Sequence, residues 1–201
     1  IGGGTSDIVI YHDGSVAHTA VLSLGGDHLT NDIAVGLRTP RVEAELIKRK
    51  HGCAMQTMVG KDETFEVPAV GGRENHAISR QILAEIIESR LEEMFTLIHN
   101  EIVRSGHGDA VGSGIVLTGG TVLLDGIVEL GESIFNMPVR RGVPRGIGGL
   151  VDVVSNPMYS TSVGLVVYGC QQKRSSRFKI REENIYSKVK TRKKDWLADL
   201  V

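Results

Sequence analysis

The chain has 201 residues, of which 41% are apolar and 23% are charged, and its net charge is −1. That composition is ordinary for a globular protein that buries a sizeable core in one or two domains. Its two cysteines, Cys53 and Cys170, exclude a disulfide framework and a local thiolate metal site, and they favour a reducing cytoplasm. No run of about 18 apolar residues is present, so the sequence predicts no membrane span.

The first predicted element is a glycine-rich loop that leads into an apolar strand at 8–11. The loop consists of Gly2, Gly3, Gly4 and Thr5. Backbone without side chains approaches an anion closely and can turn its N–H groups toward it, so this loop is a candidate phosphate site. Because the loop stands at the first residues with no methionine before it, we expect the chain to be a fragment that lacks a preceding strand.

A hairpin and two helices are predicted next. Asp13-Gly14 is a typical hairpin turn into a second strand at 16–24, which stops at Gly25 and Gly26. Residues 30–32 (TND) carry capping side chains for a helix over 33–37. Thr39-Pro40 begins another helix, which ends near residue 51.

Glu45 and Lys48 lie three positions apart in the second of these helices and share a face. Two interpretations stay open. The pair is either an exposed ion pair worth well under about 1 kcal/mol, or a carboxylate for ribose hydroxyls beside a cation near the sugar or base.

The middle of the chain predicts a strand followed by a long helix. The strand at 64–70 is expected at a sheet edge, because Pro68 has no N–H for a ladder. Apolar residues at three- and four-residue spacing predict a helix over 78–103. This pair predicts a module inserted into a mixed α/β fold.

The last third returns to short strands and helices. An apolar strand at 114–118 ends in Gly119 and Gly120, where bare backbone would let a flat ring lie close. The remaining predicted elements are a helix at about 123–135, a strand at 139–141, a loop at 144–149 and a helix at 160–168.

The final residues differ from the rest in charge. Residues 173–201 carry 10 lysines and arginines against 4 acidic residues, whereas residues 1–172 have a net charge of −7. Residues 173–184 are predicted to be a basic linker and 185–201 an amphipathic helix that binds anionic lipids. The alternative is a helix that docks on the acidic body. The residues expected at the membrane are Ile185, Val189, Lys193, Lys194, Trp196, Leu197 and Leu200.

The order of these features resembles the second half of the nucleotide site in the superfamily of actin, chaperones and sugar kinases. Several stretches narrow the resemblance to the FtsA family of bacterial cell-division proteins. They are 51–54 (HGCA), 59–63 (VGKDE), 66–68 (EVP), 70–73 (VGGR), 79–88 (SRQILAEIIE) and 159–165 (YSTSVGL).

The resemblance implies an α/β, actin-like ATPase (ribonuclease H-like) fold. Residues 1–50 with 111–172 would form subdomain 2A, and residues 51–110 would form subdomain 2B. ATP with Mg²⁺ would occupy a cleft, held by Gly2, Gly3, Gly4, Thr5, Gly25, Gly26, Glu45, Lys48, Gly119 and Gly120.

The resemblance also implies partners. The C-terminal peptide of FtsZ would dock near Arg80, Glu85 and Glu88, for which a solvated helix face is the alternative. The protein would self-associate into actin-like filaments and recruit later divisome proteins. It would tether the FtsZ ring to the cytoplasmic face of the inner membrane at the septum. We expect no nucleic-acid partner.

Two other function classes compete with this interpretation: a kinase of the same superfamily and a different filament-forming actin homologue. The insert and the basic tail favour the FtsA family. Phosphoryl transfer depends on charge stabilisation from both sides of a cleft. We therefore expect at most weak ATPase activity from a full-length protein, and no catalytic residue or turnover in these 201 residues.

Overall fold

The computed structural model describes residues 1–68, 76–148 and 151–174. The predicted linker beyond residue 174, the tail helix at 185–201 and the Gly71-Gly72-Arg73 stretch lie outside these residues. The described chain forms two units, residues 1–163 and residues from 164 onward. The predicted boundaries of subdomains 2A and 2B stay predictions.

Six strands form three two-stranded sheets within the described residues. The first and second sheets are antiparallel and the third is parallel. In chain order the strands are β1 (Ser6–His12), β2 (Ser15–Leu22), β3 (Thr64–Val67), β4 (His76–Ser79), β5 (Ile115–Leu117) and β6 (Val139–Arg141).

The predicted hairpin at Asp13-Gly14 is confirmed. Both residues have positive φ angles, 49° at Asp13 and 75° at Gly14, the backbone that a tight two-residue hairpin requires. Alternate residues of β1 are buried, including Ile8 and Ile10, as expected for a strand with one face on the core.

The helices of the described chain lie between and after the strands. They are α1 (Gly26–Gly36), α2 (Arg41–His51), α3 (Arg80–Arg104), α4 (Ile127–Phe135), α5 (Val151–Val154) and α6 (Ser160–Arg174), with short 3₁₀ turns at Gln56–Met58, Gly108–Val111, Gly120–Leu123 and Pro157–Tyr159.

Three sequence predictions about element boundaries are wrong. Helix α1 begins at Gly26, not after a cap at 30–32, because its first N–H groups find acceptors in the Gly2–Gly3 loop. Helix α3 begins at Arg80, since Ile78 pairs with Phe65 in a strand that the sequence did not predict. The predicted helix at 123–135 begins at Ile127, after a 3₁₀ turn.

Helix α3 forms the centre of the core in the first unit. Its side chains at Leu83, Ile87 and Leu91 are fully buried. Phe95 packs against Phe135 of α4, with ring centroids 5.2 Å apart. This core packs α1 against α3 and α2 against α1, and thereby places the loops that end in the candidate site.

The second unit contains the described end of α6. The helix extends to Arg174, six residues beyond its predicted end, and Leu165, Val166 and Tyr168 are exposed on it. Across the described residues, no helix has the length and apolar character needed to cross a bilayer.

Candidate functional site

A cleft of about 540 Å³ brings together six of the ten residues that were predicted to bind nucleotide. These six are Gly2, Gly3, Gly26, Glu45, Lys48 and Gly120. They come from the first loop, α1, α2 and the turn after β5, which are far apart in sequence. Motifs that are far apart in the sequence therefore lie side by side in the first unit.

The glycine loop caps helix α1. The carbonyl oxygen of Gly2 accepts from the Gly26 N–H at 2.9 Å, and that of Gly3 accepts from the Asp27 N–H at 2.8 Å. These bonds satisfy donors that a helix N-terminus otherwise leaves open.

The N–H groups of Gly3 and Gly4 have no protein acceptor within the described chain, and both residues are exposed. The donors available to an anion therefore lie on the loop.

Gly25 and Gly26 are required by close approach of the backbone. A Cβ atom on Gly25 would lie 2.5 Å from the Gly3 carbonyl oxygen, and one on Gly26 would lie 2.6 Å from the Thr121 Oγ1. Gly25 has an extended φ of −164°, so contact and not backbone strain excludes a larger residue. The glycine pair thus lets α1 begin directly against the loop.

Lys48 is buried and fully hydrogen-bonded. Its Nζ lies 2.8 Å from the Gly26 carbonyl oxygen, 2.7 Å from the Thr30 Oγ1 and 2.7 Å from the Glu45 Oε2. Three acceptors match the three donors of an ammonium group. The exposed-ion-pair interpretation is therefore wrong for Lys48, which ties α2 to the first turn of α1.

Glu45 lies at the rim of the cleft, with 41% of its side chain exposed. It accepts from the Thr30 hydroxyl at 2.6 Å as well as from Lys48. Partial burial opposes ionisation of this carboxyl, but the bonds from Lys48 and Thr30 outweigh it and lower its pKa. Glu45 is thus a fixed, ionised acceptor beside a neutralised cation.

Gly119 and Gly120, just after the end of β5, have different surroundings. Gly119 has a φ of 101°, and a Cβ there would lie 2.3 Å from the Ile1 carbonyl oxygen, so its place is beneath the first loop. Gly120 faces the cleft. Gly4, Thr5, Gly25 and Gly119 do not line the cleft itself.

The predicted partner residues lie on α3, away from the cleft. The Nε of Arg80 donates to the His51 carbonyl oxygen at 2.8 Å, and its guanidinium pairs with Glu63. Glu88 accepts from the Gln56 N–H at 2.7 Å. Glu85 is exposed. Two of the three side chains are therefore engaged within the chain.

Sequence reasoning missed several residues that line the cleft. Arg49 and Lys50 follow Lys48 on α2, and both are exposed. The run of basic residues in the last turn of α2 is a signal that could have indicated them. The other residues that line the cleft and were not predicted to bind nucleotide are Asp27, Gly52, Thr121, Leu123, Leu124, Asp125 and Met158.

No group of three metal-ligating side chains occurs in the part of the chain that the structure describes. Magnesium commonly binds through one or two carboxylates together with substrate phosphates. The Asp27 carboxylate, which also pairs with Arg41 at 3.2 Å, lies 3.6 Å from the Cβ position of Gly3.

Residues 1–164 match the family described as "Cell division protein FtsA". The chain belongs to the FtsA family. Its curated relatives include the cell division protein FtsA of Pseudomonas aeruginosa, 54% identical over 172 residues, which are 86% of this chain and 41% of the relative. The FtsA of Escherichia coli strain K12 is 44% identical over 176 residues, 84% of this chain and 42% of the relative. The chain thus spans about two fifths of these FtsA relatives.

Solved structures confirm the predicted actin-like fold. MreB5 of Spiroplasma citri bound to ADP superposes with a TM-score of 0.68 at 18% identity, over 87% of this chain and 53% of that one. The type IV pilus complex of PilM and PilN gives 0.62 at 16% identity, over 84% and 44%. A MamK double helical filament gives 0.52 at 16% identity, over 81% and 52%.

Proposed function

We propose that the cleft binds ATP with Mg²⁺. The observation that supports this proposal is the convergence of the exposed Gly3 amide, a fixed carboxylate and a glycine strand end around one cavity. The MreB5 structures bound to ADP and AMPPNP support it, because they share the fold.

The residues present fit a nucleoside triphosphate. The amide of Gly3, which lines the cleft, would bind a phosphate oxygen, and Arg49 and Lys50 would add positive charge. Glu45 has one side of its carboxylate held by Lys48 and Thr30, and it would accept from ribose hydroxyls. Lys48 would act indirectly by holding Glu45 and the start of α1. Bound Mg²⁺ would supply charge neutralisation for the phosphates.

The same proposal extends to cell division. As part of an FtsA-family protein, the chain would help tether the FtsZ ring to the cytoplasmic face of the inner membrane at the septum. It would bind the FtsZ C-terminal peptide on the α3 side, self-associate into filaments and recruit later divisome proteins. The filament formed by MamK supports self-association through this fold. Residues 185–201 would bind anionic lipids.

Nucleotide binding is tested by titrating the protein with a fluorescent ATP analogue, mant-ATP, in the presence of Mg²⁺. We expect saturable binding that unlabelled ATP displaces, and weaker binding by Glu45→Gln. A Glu92→Gln variant, which changes an exposed glutamate on α3, is the matched control. Absence of saturable binding by the unmodified protein would contradict the proposal.

Partner and membrane binding need separate experiments. An FtsZ C-terminal peptide should bind the unmodified protein and bind Glu85→Lys more weakly. Sedimentation with vesicles that contain anionic lipid should fall when residues 185–201 are deleted. Equal sedimentation of the two proteins would refute the lipid anchor and leave the nucleotide site unaffected.

A further inference from the structure

Arg80 connects the helix that lines the cleft to the β3–β4 sheet. Its Nε donates to the His51 carbonyl oxygen, the last residue of α2, at 2.8 Å. Its Nη1 lies 2.6 Å from the Glu63 Oε2, in the residue directly before β3. The side chain is 25% exposed, so most of its surface contacts protein and not solvent.

Further contacts make this connection stiff. The Arg80 N–H donates to the Glu63 carbonyl oxygen at 2.8 Å, and the Glu63 Oε1 accepts from the Gly60 N–H at 2.8 Å. The His51 ring stacks on Phe65 of β3, with centroids 4.8 Å apart and planes 15° apart. Arg80 and this ring stack thus join the end of α2 to β3 at two points.

The end of α2 has little freedom to move independently. The Gly52 N–H donates to the Lys48 carbonyl oxygen at 3.0 Å. A Cβ on Gly52 would lie 2.3 Å from that oxygen and 2.8 Å from Leu124 Cδ2. Lys48 and His51 are one helical turn apart. A displacement of Lys48 in the cleft is therefore transmitted to the carbonyl group that Arg80 holds.

The positive charge of Arg80 lies at the C-terminal end of α2. The last carbonyl groups of a helix carry the negative end of its dipole, and a cation there stabilises the helix. The bond from Arg80 also lowers the pKa of Glu63, so the acceptor side of the connection stays ionised. Both contacts of the guanidinium are thus charge-assisted.

We propose that Arg80 is a positioning residue that couples occupancy of the cleft to the β3–β4 sheet. The inference rests on the proposed nucleotide site. Ligand binding that orders α2 then also orders β3, because His51, Arg80 and Glu63 connect the two elements. Since coupling between two sites is reciprocal, a ligand that orders β3–β4 strengthens nucleotide binding.

The test is hydrogen exchange of the protein with and without saturating ATP and Mg²⁺, together with mant-ATP titrations. In the unmodified protein we expect ATP to slow amide exchange in α2 and also in β3 and β4. In Arg80→Ala we expect the protection of β3 and β4 to disappear while α2 remains protected, and the mant-ATP Kd to rise about five-fold or more. Arg80→Lys, which keeps the cation but cannot make both contacts, should give an intermediate result.

Arg104→Ala is the matched control, since Arg104 is an exposed arginine at the other end of α3 that pairs with Glu101. It should behave like the unmodified protein. Where Arg80→Ala gives no cooperative thermal transition, Glu63→Gln takes its place and should lose most of the ATP-dependent protection of β3.

The outcomes separate the two proposals. Normal ATP binding with unchanged protection of β3 and β4 in Arg80→Ala, or in Glu63→Gln where that variant takes its place, would overturn this inference and leave the nucleotide site standing. A protein that binds no ATP at all would overturn the proposed function and this inference with it. A loss of protection that Arg104→Ala reproduces equally would also overturn the role of Arg80.

Discussion

Substitution of Gly25 by alanine tests how closely the glycine loop must approach α1. The new Cβ would lie 2.5 Å from the Gly3 carbonyl oxygen and 2.7 Å from that of Gly2, and ordinary contact begins near 3.4 Å. The loop must therefore move by about 0.9 Å at Gly3, because backbone atoms on both sides leave no flexible side chain to give way.

That movement breaks the two hydrogen bonds by which the loop caps α1. The bonds from Gly26 and Asp27 are 2.9 and 2.8 Å long. At about 0.5–1.5 kcal/mol each, their loss lowers the free energy of unfolding by about 1–3 kcal/mol, the range typical of overpacking. If the displaced loop loses the same energy in binding, the mant-ATP Kd rises by about 5- to 150-fold.

The assay combines chemical denaturation with mant-ATP titration of Gly25→Ala and Gly4→Ala. A Cβ on Gly4 meets nothing within 4 Å, and both variants reduce the freedom of the unfolded chain equally. We expect Gly4→Ala to keep the stability of the unmodified protein within about 0.5 kcal/mol. Equal stability and equal binding of Gly25→Ala and the unmodified protein would refute the close-approach argument.

Three further predictions concern stability. Lys48→Met should lower the free energy of unfolding by about 1–3 kcal/mol in urea, because it leaves the Gly26 and Thr30 acceptors without their buried donor; an unchanged midpoint would contradict the tie between α1 and α2. Phe135→Ala should cost about 3–5 kcal/mol in the same assay, since the ring is 1% exposed and packs on Phe95; a loss below 1 kcal/mol would contradict its place in the core. Burial, Lys50 and Arg80 lower the pKa of His51 below its usual 6.5, so stability present above pH 6.5 is lost as the pH falls through the folded pKa. Thermal melts between pH 7 and 5 should show this loss, and His51→Gln should show less of it; identical profiles would contradict it.

Local patterns predicted several elements of the first unit. The hairpin at Asp13-Gly14 and the long helix α3 follow from turn chemistry and from apolar spacing. These signals are local in sequence, so reading a window of residues recovers them.

The start of α1 and the strand β4 could not be predicted this way. Gly26 begins α1 because the distant Gly2 and Gly3 supply its acceptors, which overrides the capping side chains at 30–32. Ile78 fits the helical spacing of α3, but it pairs with Phe65. In both cases a tertiary partner decided the boundary, and no local pattern reveals that partner.

In the candidate site, too, local patterns identified residues, whereas their tertiary contacts could not be predicted. Glu45 and Lys48 were found from their spacing, but the sequence could not show that Lys48 is buried against Gly26 and Thr30. The intrachain contact of Arg80 with His51 was likewise hidden, because 29 residues separate the two. Burial and long-range contacts therefore changed the roles of residues that the sequence had correctly singled out.

Amide chemical-shift mapping of the ¹⁵N-labelled protein during titration with ATP and Mg²⁺ shows whether nucleotide binds in the cleft. We predict saturable shifts at Gly2, Gly3 and Gly120, which line the cleft, with none at Gly14 or Gly106, which lie in turns elsewhere in the first unit. Absence of shifts at millimolar ATP, or shifts confined to residues outside the cleft, would contradict it.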